Sequence, residues 1–371
     1  MALMQKPPFR ADQVGSLLRP PELRAAHEKF LKHDFDPAGL RELQDRCIRD
    51  AIAFQESIGL EAITDGEFRR SSFSSDFIEK LDGARSPGSI EMKTRAGRFA
   101  PRAFLVTGKL RHVRPIEVAN FAFVKANTRR TAKQTMPSPT MLLRGGRGAV
   151  SREAYPDLEE FHADIANVYR EELAQLGAAG CSYVQLDDTN YAYLCDAKLR
   201  ETFRQWGYDP GEAPERFARL INAAIAARPA GMAACIHLCR GNSAGKWAAE
   251  GAYEPIADVL LNRLEVDGYF LEYDDARSGG FEPLRFYPRN SAKKIVLGLV
   301  STKTSDIEKK DLLKRRIDEA ARYVPLENLC ISPQCGFAST YRGNPVTKEV
   351  QRRKLERVVE VAHDVWGYGR R

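Results

Sequence analysis

His237-Leu238-Cys239 offers an imidazole and a thiol two residues apart, within the run Met232-Ala-Ala-Cys-Ile-His-Leu-Cys-Arg-Gly-Asn242. Met232 to Ile236 is short and apolar, and Gly241 and Asn242 end it, the pattern of a buried parallel strand arriving at a loop. Residues two apart on a strand point to the same face, so His237 and Cys239 can aim a nitrogen and a sulfur at one point. Imidazole and thiolate are ligands that zinc prefers. Taken alone, the spacing favours a histidine and a free cysteine packed as core. Further ligands have to come from elsewhere in the chain.

The elements that would bring them alternate between strand and helix. Ala11–Ser16 reads as a first strand ending in a Gly-Ser loop, and Glu61–Glu67 as a second that runs into acidic residues. Lys133–Leu143, Cys181–Asp188, Met232–Cys239, Val266–Asp275, Lys294–Val300 and Asn328–Gly336 continue the series. Amphipathic helices are expected at about 37–58, 158–176, 213–227, 306–323 and 348–363, several closed by glycine or opened by proline. The stretch from about 83 to 130 differs, with alternating residues, many arginines and turn signals at Ser86-Pro87-Gly88 and Arg114-Pro115; it reads as a strand-rich, hairpin-like excursion. About eight strands with chemically capable residues at their ends is the pattern of a (β/α)8 TIM barrel, here a single catalytic domain over 1–371. An open doubly wound sheet is the alternative. No GxGxxG follows the first strand and no GxxxxGK[ST] occurs, so nothing points to dinucleotide or P-loop chemistry.

The totals narrow the class. With 371 residues, 43% hydrophobic and a mean hydropathy of −0.43, the chain reads as soluble and globular. No window reaches the roughly 18 apolar residues of a membrane span. The N-terminus lacks a secretory core, so the cytoplasm is expected. Seven cysteines in a reducing compartment favour metal binding or catalysis over disulfides; Cys47, Cys181, Cys195 and Cys330 sit in apolar settings that suit core. The net charge of +7 is spread over helix faces with acidic neighbours, which excludes a nucleic-acid stripe and suits an anionic small molecule.

In a barrel, strand ends converge. Ser16, Glu67, Asp187, His237, Cys239, Glu272 and Cys335 then face one axis. His237, Cys239 and Cys335 with Glu272 make a four-coordinate zinc site whose ligands come from three strand ends, and whose carboxylate can be displaced. Zinc with two thiolates and a carboxylate is electron-rich, a weak activator of water, and better suited to holding a substrate thiol as thiolate. Alkyl transfer to sulfur is the chemistry this reaches.

At these residues the chain resembles the catalytic C-terminal half of cobalamin-independent methionine synthase, and most of all the stand-alone proteins of that family. The likeness runs through Val14-Gly15-Ser16, Asp65-Gly66-Glu67-Phe68-Arg69-Arg70, Gln185-Leu186-Asp187-Asp188, His237-Leu238-Cys239, Leu271-Glu272 with Arg277-Ser278, and Pro333-Gln334-Cys335-Gly336. It implies a (β/α)8 barrel with Zn2+ on His237, Cys239, Glu272 and Cys335. It also implies that Ser16, Glu67 and Asp187 hold the amino acid end of homocysteine, which is methylated to methionine. Two places depart from the family. Leu143-Arg144 stands where a tryptophan stacks on the folate ring, and Ser301-Thr302-Lys303-Thr304 where an Asp-Ile-His-Ser histidine assists the departing folate. Lys303 becomes the candidate proton donor, on condition that its pKa is lowered substantially. The donor is then methyltetrahydrofolate or a methyl-corrinoid. The same zinc arrangement occurs in epoxyalkane:coenzyme M transferases; Arg19, Arg69, Arg70 and Arg240 could serve a sulfonate or a carboxylate equally well. From another class, a zinc-stabilised scaffold barrel would keep the metal without productive use of Glu67 and Asp187. No nucleic acid or membrane partner is expected, and a homo-oligomer is compatible with the chain.

Overall fold

The computed structural model of the chain describes residues 6–369 except 90, 91, 95, 96, 100 and 101, with side chains described outside 89–102. The fold is α/β. Six parallel strands lie side by side in chain order: Gln134–Pro137, Tyr183–Asp188, Ala233–Leu238, Gly268–Glu272, Lys294–Val300 and Leu329–Pro333. Consecutive parallel neighbours require a crossover between each pair, and helices supply it. Lys294–Val300 is buried at every position after the first, which is why it carries a continuous apolar run and not an alternating one.

Two shorter parallel pairings stand beside this sheet, one a separate two-stranded pair and the other an isolated bridge. Ala62–Ile63 pairs in parallel with Thr131–Ala132, one residue before Gln134. At the other edge Ala11 bridges Ile331 in parallel, with the Asp12 N–H on the Ile331 carbonyl at 3.0 Å. The Leu17 N–H reaches the Gly66 carbonyl at 3.1 Å and the Thr64 hydroxyl the Gly15 carbonyl at 2.7 Å. Inside the sheet, the Lys133 ammonium lies 3.0 Å from Asp12, both side chains fully buried. The Tyr183 hydroxyl donates to the second Asp12 oxygen at 2.9 Å, so this buried charge pair is satisfied on both sides.

The helices follow from caps and stripes. Asp36 accepts from the Gly39 N–H at the start of Pro37–Ser57, and Asp157 from the Glu159 N–H before Leu158–Ala178. The latter buries Phe161, Ile165, Val168, Tyr169, Leu173 and Leu176, a stripe at helical spacing. Lys348–Trp366 opens on a Thr347 cap and closes at Gly367 with φ 67°. Among the described residues, no helix is long and apolar enough to cross a membrane.

Four expectations need adjustment. The excursion does hold antiparallel strands, Asp82–Ser89 on Arg102–Arg111 and Met92–Thr94 on Gly97–Phe99. Its last third is instead the helix Val118–Asn127. After Pro115 no proline or glycine interrupts that stretch, and Phe121 and Val124 bury three residues apart on one face. The expected strand to Leu143 stops at Pro137, and Pro139–Leu143 coils as a 3-10 helix with proline at its start. The helix expected from residue 306 begins at Lys310. The first two strands are shorter than read, because Gly15 (φ 139°) and Gly66 (φ 65°) turn the backbone away from extended geometry.

Candidate metal centre

Each of four metal-competent side chains sits at a strand's C-terminal end. His237 is the penultimate residue of Ala233–Leu238, Cys239 follows that strand, Glu272 ends Gly268–Glu272, and Cys335 lies two residues past Leu329–Pro333. Their ligand atoms lie within 4.8 Å of one another, and all four residues are buried. The Cys239 and Cys335 sulfurs are 3.5 Å apart. Parallel register does this: Asp187 pairs with His237, and Leu271, the residue before Glu272, pairs with Leu238. The same alternation of faces thus serves adjacent strands.

The donor set fits a thiophilic divalent ion. Neither ring nitrogen of His237 makes a hydrogen bond of normal geometry, though both are buried, a condition that native proteins rarely leave uncompensated. The hydrogen bond with Cys239 pulls the Cys335 pKa well below its ordinary value; burial opposes this and His237 adds to it. Cys239 itself is pushed well up by the same bond and by burial. Two buried sulfurs in contact, one pushed up and the other down, form a pair that a cation would complete.

A cavity of about 300 Å³ opens onto this cluster, lined also by Ser16, Glu67 and Asp187. The seven strand-end residues therefore share one site, with Glu272 behind the wall. Glu67 occupies a left-handed backbone position (φ 60°), rare for a side chain of its size and concentrated at functional sites. The Thr135 hydroxyl donates to its carboxylate at 3.0 Å. Burial raises Glu67 to about 7, against Arg70 and with the help of Asp187. Burial likewise raises Asp187 to about 6, opposed by His237 and by a hydrogen bond from Gln185. Ser16 Oγ accepts the Ala338 N–H at 3.1 Å.

The arginines do not behave as their positions predicted. Arg19, Arg69, Arg70 and Arg240 do not line the cavity. Arg19 donates to the carbonyls of Glu67 and Arg70. Arg69 pairs with Asp45, and Arg70 holds Thr135, Glu67 and Glu117. Arg240 is buried with its guanidinium 4.4 Å over the Tyr253 ring. Lys303 also departs from expectation. Burial works against its ammonium, yet Glu272 and Asp274 outweigh burial and raise its pKa. The lowering that a neutral-pH proton donor requires is absent.

Sequence reasoning missed part of the wall. Asn242 reads in the sequence only as the end of a strand; it lines the cavity, its Nδ2 donates to the Gly336 carbonyl at 2.9 Å, and its buried Oδ1 has no hydrogen-bond partner of normal geometry. Its place three residues after Cys239 was the available signal. Arg144, noted as a missing aromatic, lines the cavity with its guanidinium on Thr189 and 5.6 Å from the Tyr193 ring. Ser71 to Ser74 line the mouth, and no pattern in the chain marked them.

The catalytic-domain profile of the cobalamin-independent synthases matches residues 9–364. The chain belongs to the cobalamin-independent synthase family. It is 42% identical to YxjH of Bacillus subtilis over 364 residues, 98% of this chain and 96% of that protein. A methionine synthase of Pyrococcus abyssi is 26% identical, with 96% of this chain and 94% of that one aligned. The crystal structure of a candidate vitamin-B12-independent methionine synthase from Listeria monocytogenes superposes with a TM-score of 0.79 at 35% identity, covering 98% of this chain and 99% of that one. Membership in the synthase family makes the chain a methyltransferase-type enzyme, and the His237–Cys239–Glu272–Cys335 cluster could hold a metal ion.

Proposed function

We propose that this enzyme is a zinc-dependent S-methyltransferase that converts homocysteine to methionine in the cytoplasm. The observation that carries the reading is that His237, Cys239 and Cys335 line one cavity with Glu67, Asp187 and Ser16, while Glu272 lies behind its wall within 4.8 Å of the other three ligand atoms. We read the two short parallel segments at the sheet edges as closing a single (β/α)8 catalytic domain; the Ala11–Ile331 bridge and the Ala62–Thr131 pairing support that.

His237, Cys239, Glu272 and Cys335 would hold the metal. Bound there, zinc would supply the positive charge that keeps the acceptor sulfur deprotonated at neutral pH. The chain's own residues do the rest. Glu67 and Asp187, once ionised, receive the substrate ammonium at the cavity floor. The Ser16 hydroxyl, which accepts from the Ala338 N–H and keeps its own proton to donate, receives the substrate's carboxylate. Burial of the cluster excludes water, which strengthens each of these interactions and protects the nucleophile. The commitment of Arg19, Arg69 and Arg70 to protein partners leaves this floor acidic, which favours an ammonium-bearing thiol over an alkanethiol sulfonate. Arg144 places a cation on the opposite wall, which suits a neutral or anionic methyl donor such as a methylated folate or a methyl-corrinoid.

The test is zinc per chain in wild type and Cys335→Ser, with methionine formation assayed on methyltetrahydrofolate and methylcobalamin separately. One zinc per wild-type chain, a depleted variant and methionine from either donor support the reading. No zinc in reduced wild type, or turnover with a sulfonate thiol in place of homocysteine, refutes it.

A further inference from the structure

Glu272 is gripped on both oxygens by the protein itself. Oε1 accepts the Arg240 backbone N–H at 2.7 Å, and Oε2 lies 3.5 Å from the Lys303 ammonium. Lys303 also lies 3.7 Å from Asp274, their side chains only 7% and 1% exposed. The Asp274 oxygens have no hydrogen-bond partner of normal geometry, so Lys303 and Arg277, 3.5 Å away, are what compensates a buried anion. An uncompensated charge there would be strongly unfavourable, and this fixes the ammonium in place.

A fixed cation at that distance acts on Glu272 in two ways. It competes with a metal for the carboxylate's electron pairs, weakening Glu272 relative to the two cysteines as a ligand. It also gives the carboxylate an ionic partner inside the protein when it is not bound to metal, so that leaving the metal does not strand a buried charge. The cluster's formal charge with zinc is already negative through two thiolates and a carboxylate, and a third thiolate adds to it; Lys303 is the buried cation that offsets this.

We propose that Lys303 is a positioning residue that takes over the Glu272 carboxylate when the acceptor thiol replaces it at the metal. This rests on the thiol-activation reading above. With the metal bound, one Glu272 oxygen–metal bond would break as one sulfur–metal bond formed. The thiol proton leaves to the solvent buffer, and Glu272 stays ionised beside Lys303.

Zinc X-ray absorption with and without homocysteine tests this on the zinc-loaded full chain, together with homocysteine affinity by calorimetry. Wild type exchanges one oxygen neighbour for sulfur. Lys303→Met keeps its zinc, retains the oxygen neighbour after homocysteine is added, and binds homocysteine about tenfold more weakly; Lys303→Arg restores the exchange. Asp274→Asn shifts the other way, because Lys303 is then free to pair with Glu272 alone, and homocysteine binds several-fold more tightly. If Lys303→Met exchanges oxygen for sulfur as wild type does, the role of Lys303 is overturned while thiol activation stands. If Lys303→Met cannot hold zinc, Asp274→Asn decides: unchanged or weaker homocysteine affinity overturns the proposal. A wild type that gains no sulfur overturns thiol activation itself, and this inference with it.

Discussion

Glu67 and Asp187 hold protons that an ammonium must expel. In the free protein burial raises Glu67 to about 7 and Asp187 to about 6. A cationic group bound between them favours their ionised forms, so binding releases whatever protons they carry at the working pH. From these values the pair carries about one proton in total at pH 6.5 and about 0.3 at pH 7.5. The sign follows directly: both pKa values fall on binding, protons are released, and affinity rises as pH rises through about 6 to 7.

Methionine is the ligand of choice, because it has the ammonium and carboxylate of homocysteine and no thiol to add a proton of its own. Calorimetric titrations in buffers of different ionisation enthalpy count the protons released. Glu67→Gln should cut the release at pH 6.5 to at most about 0.2, since only Asp187 then titrates. Its affinity for methionine should become nearly independent of pH above 6.5. Release that is equal at the two pH values, or a Glu67→Gln protein that releases as much as wild type, would refute the ammonium assignment.

Other perturbations follow from close contacts. A Cβ on Gly336 would lie 2.0 Å from Ser16 Oγ; Gly336→Ala should raise the KM for homocysteine while leaving zinc content intact, with a stability loss of about 1–3 kcal/mol seen by urea unfolding. Lys133→Met leaves Asp12 buried without its cation and should cost about 3–5 kcal/mol in the same assay, part of which the Asp12→Asn, Lys133→Met double variant recovers. Metal removal by a chelator should lower the thermal midpoint by mass action. It should also let Cys239 and Cys335, with sulfurs 3.5 Å apart, be oxidised by hydrogen peroxide to a disulfide. Thiol titration would then find two of the seven cysteines consumed, and none of this in the metal-loaded protein.

The metal-competent cluster was legible in the chain and the rest of the cavity wall was not, and the reason lies in how each is carried. His237, Cys239, Glu272 and Cys335 close apolar runs, and a parallel strand fixes direction, face and end together. Once such runs are seen to recur, the residues that end them have few places to go. Arg144 follows a 3-10 helix, Ser71 to Ser74 sit where the chain turns into a short helix, and Asn242 is on a loop; in none of these does spacing determine orientation. Charge was misleading for a related reason. The chain displays its arginines but not their partners, and Arg19 and Arg70 meet theirs only after Gly66 and Glu67 take left-handed backbone positions. Lys303 shows the same limit most clearly. Its identity is visible in the chain, but its effect on Glu272 depends on a strand register that sets Glu272 opposite Gly298 and on Asp274 two residues further on. The strand ends therefore constrain what the acceptor half can do. The loops can vary without disturbing the sheet, so the proposed choice of methyl donor would rest on them.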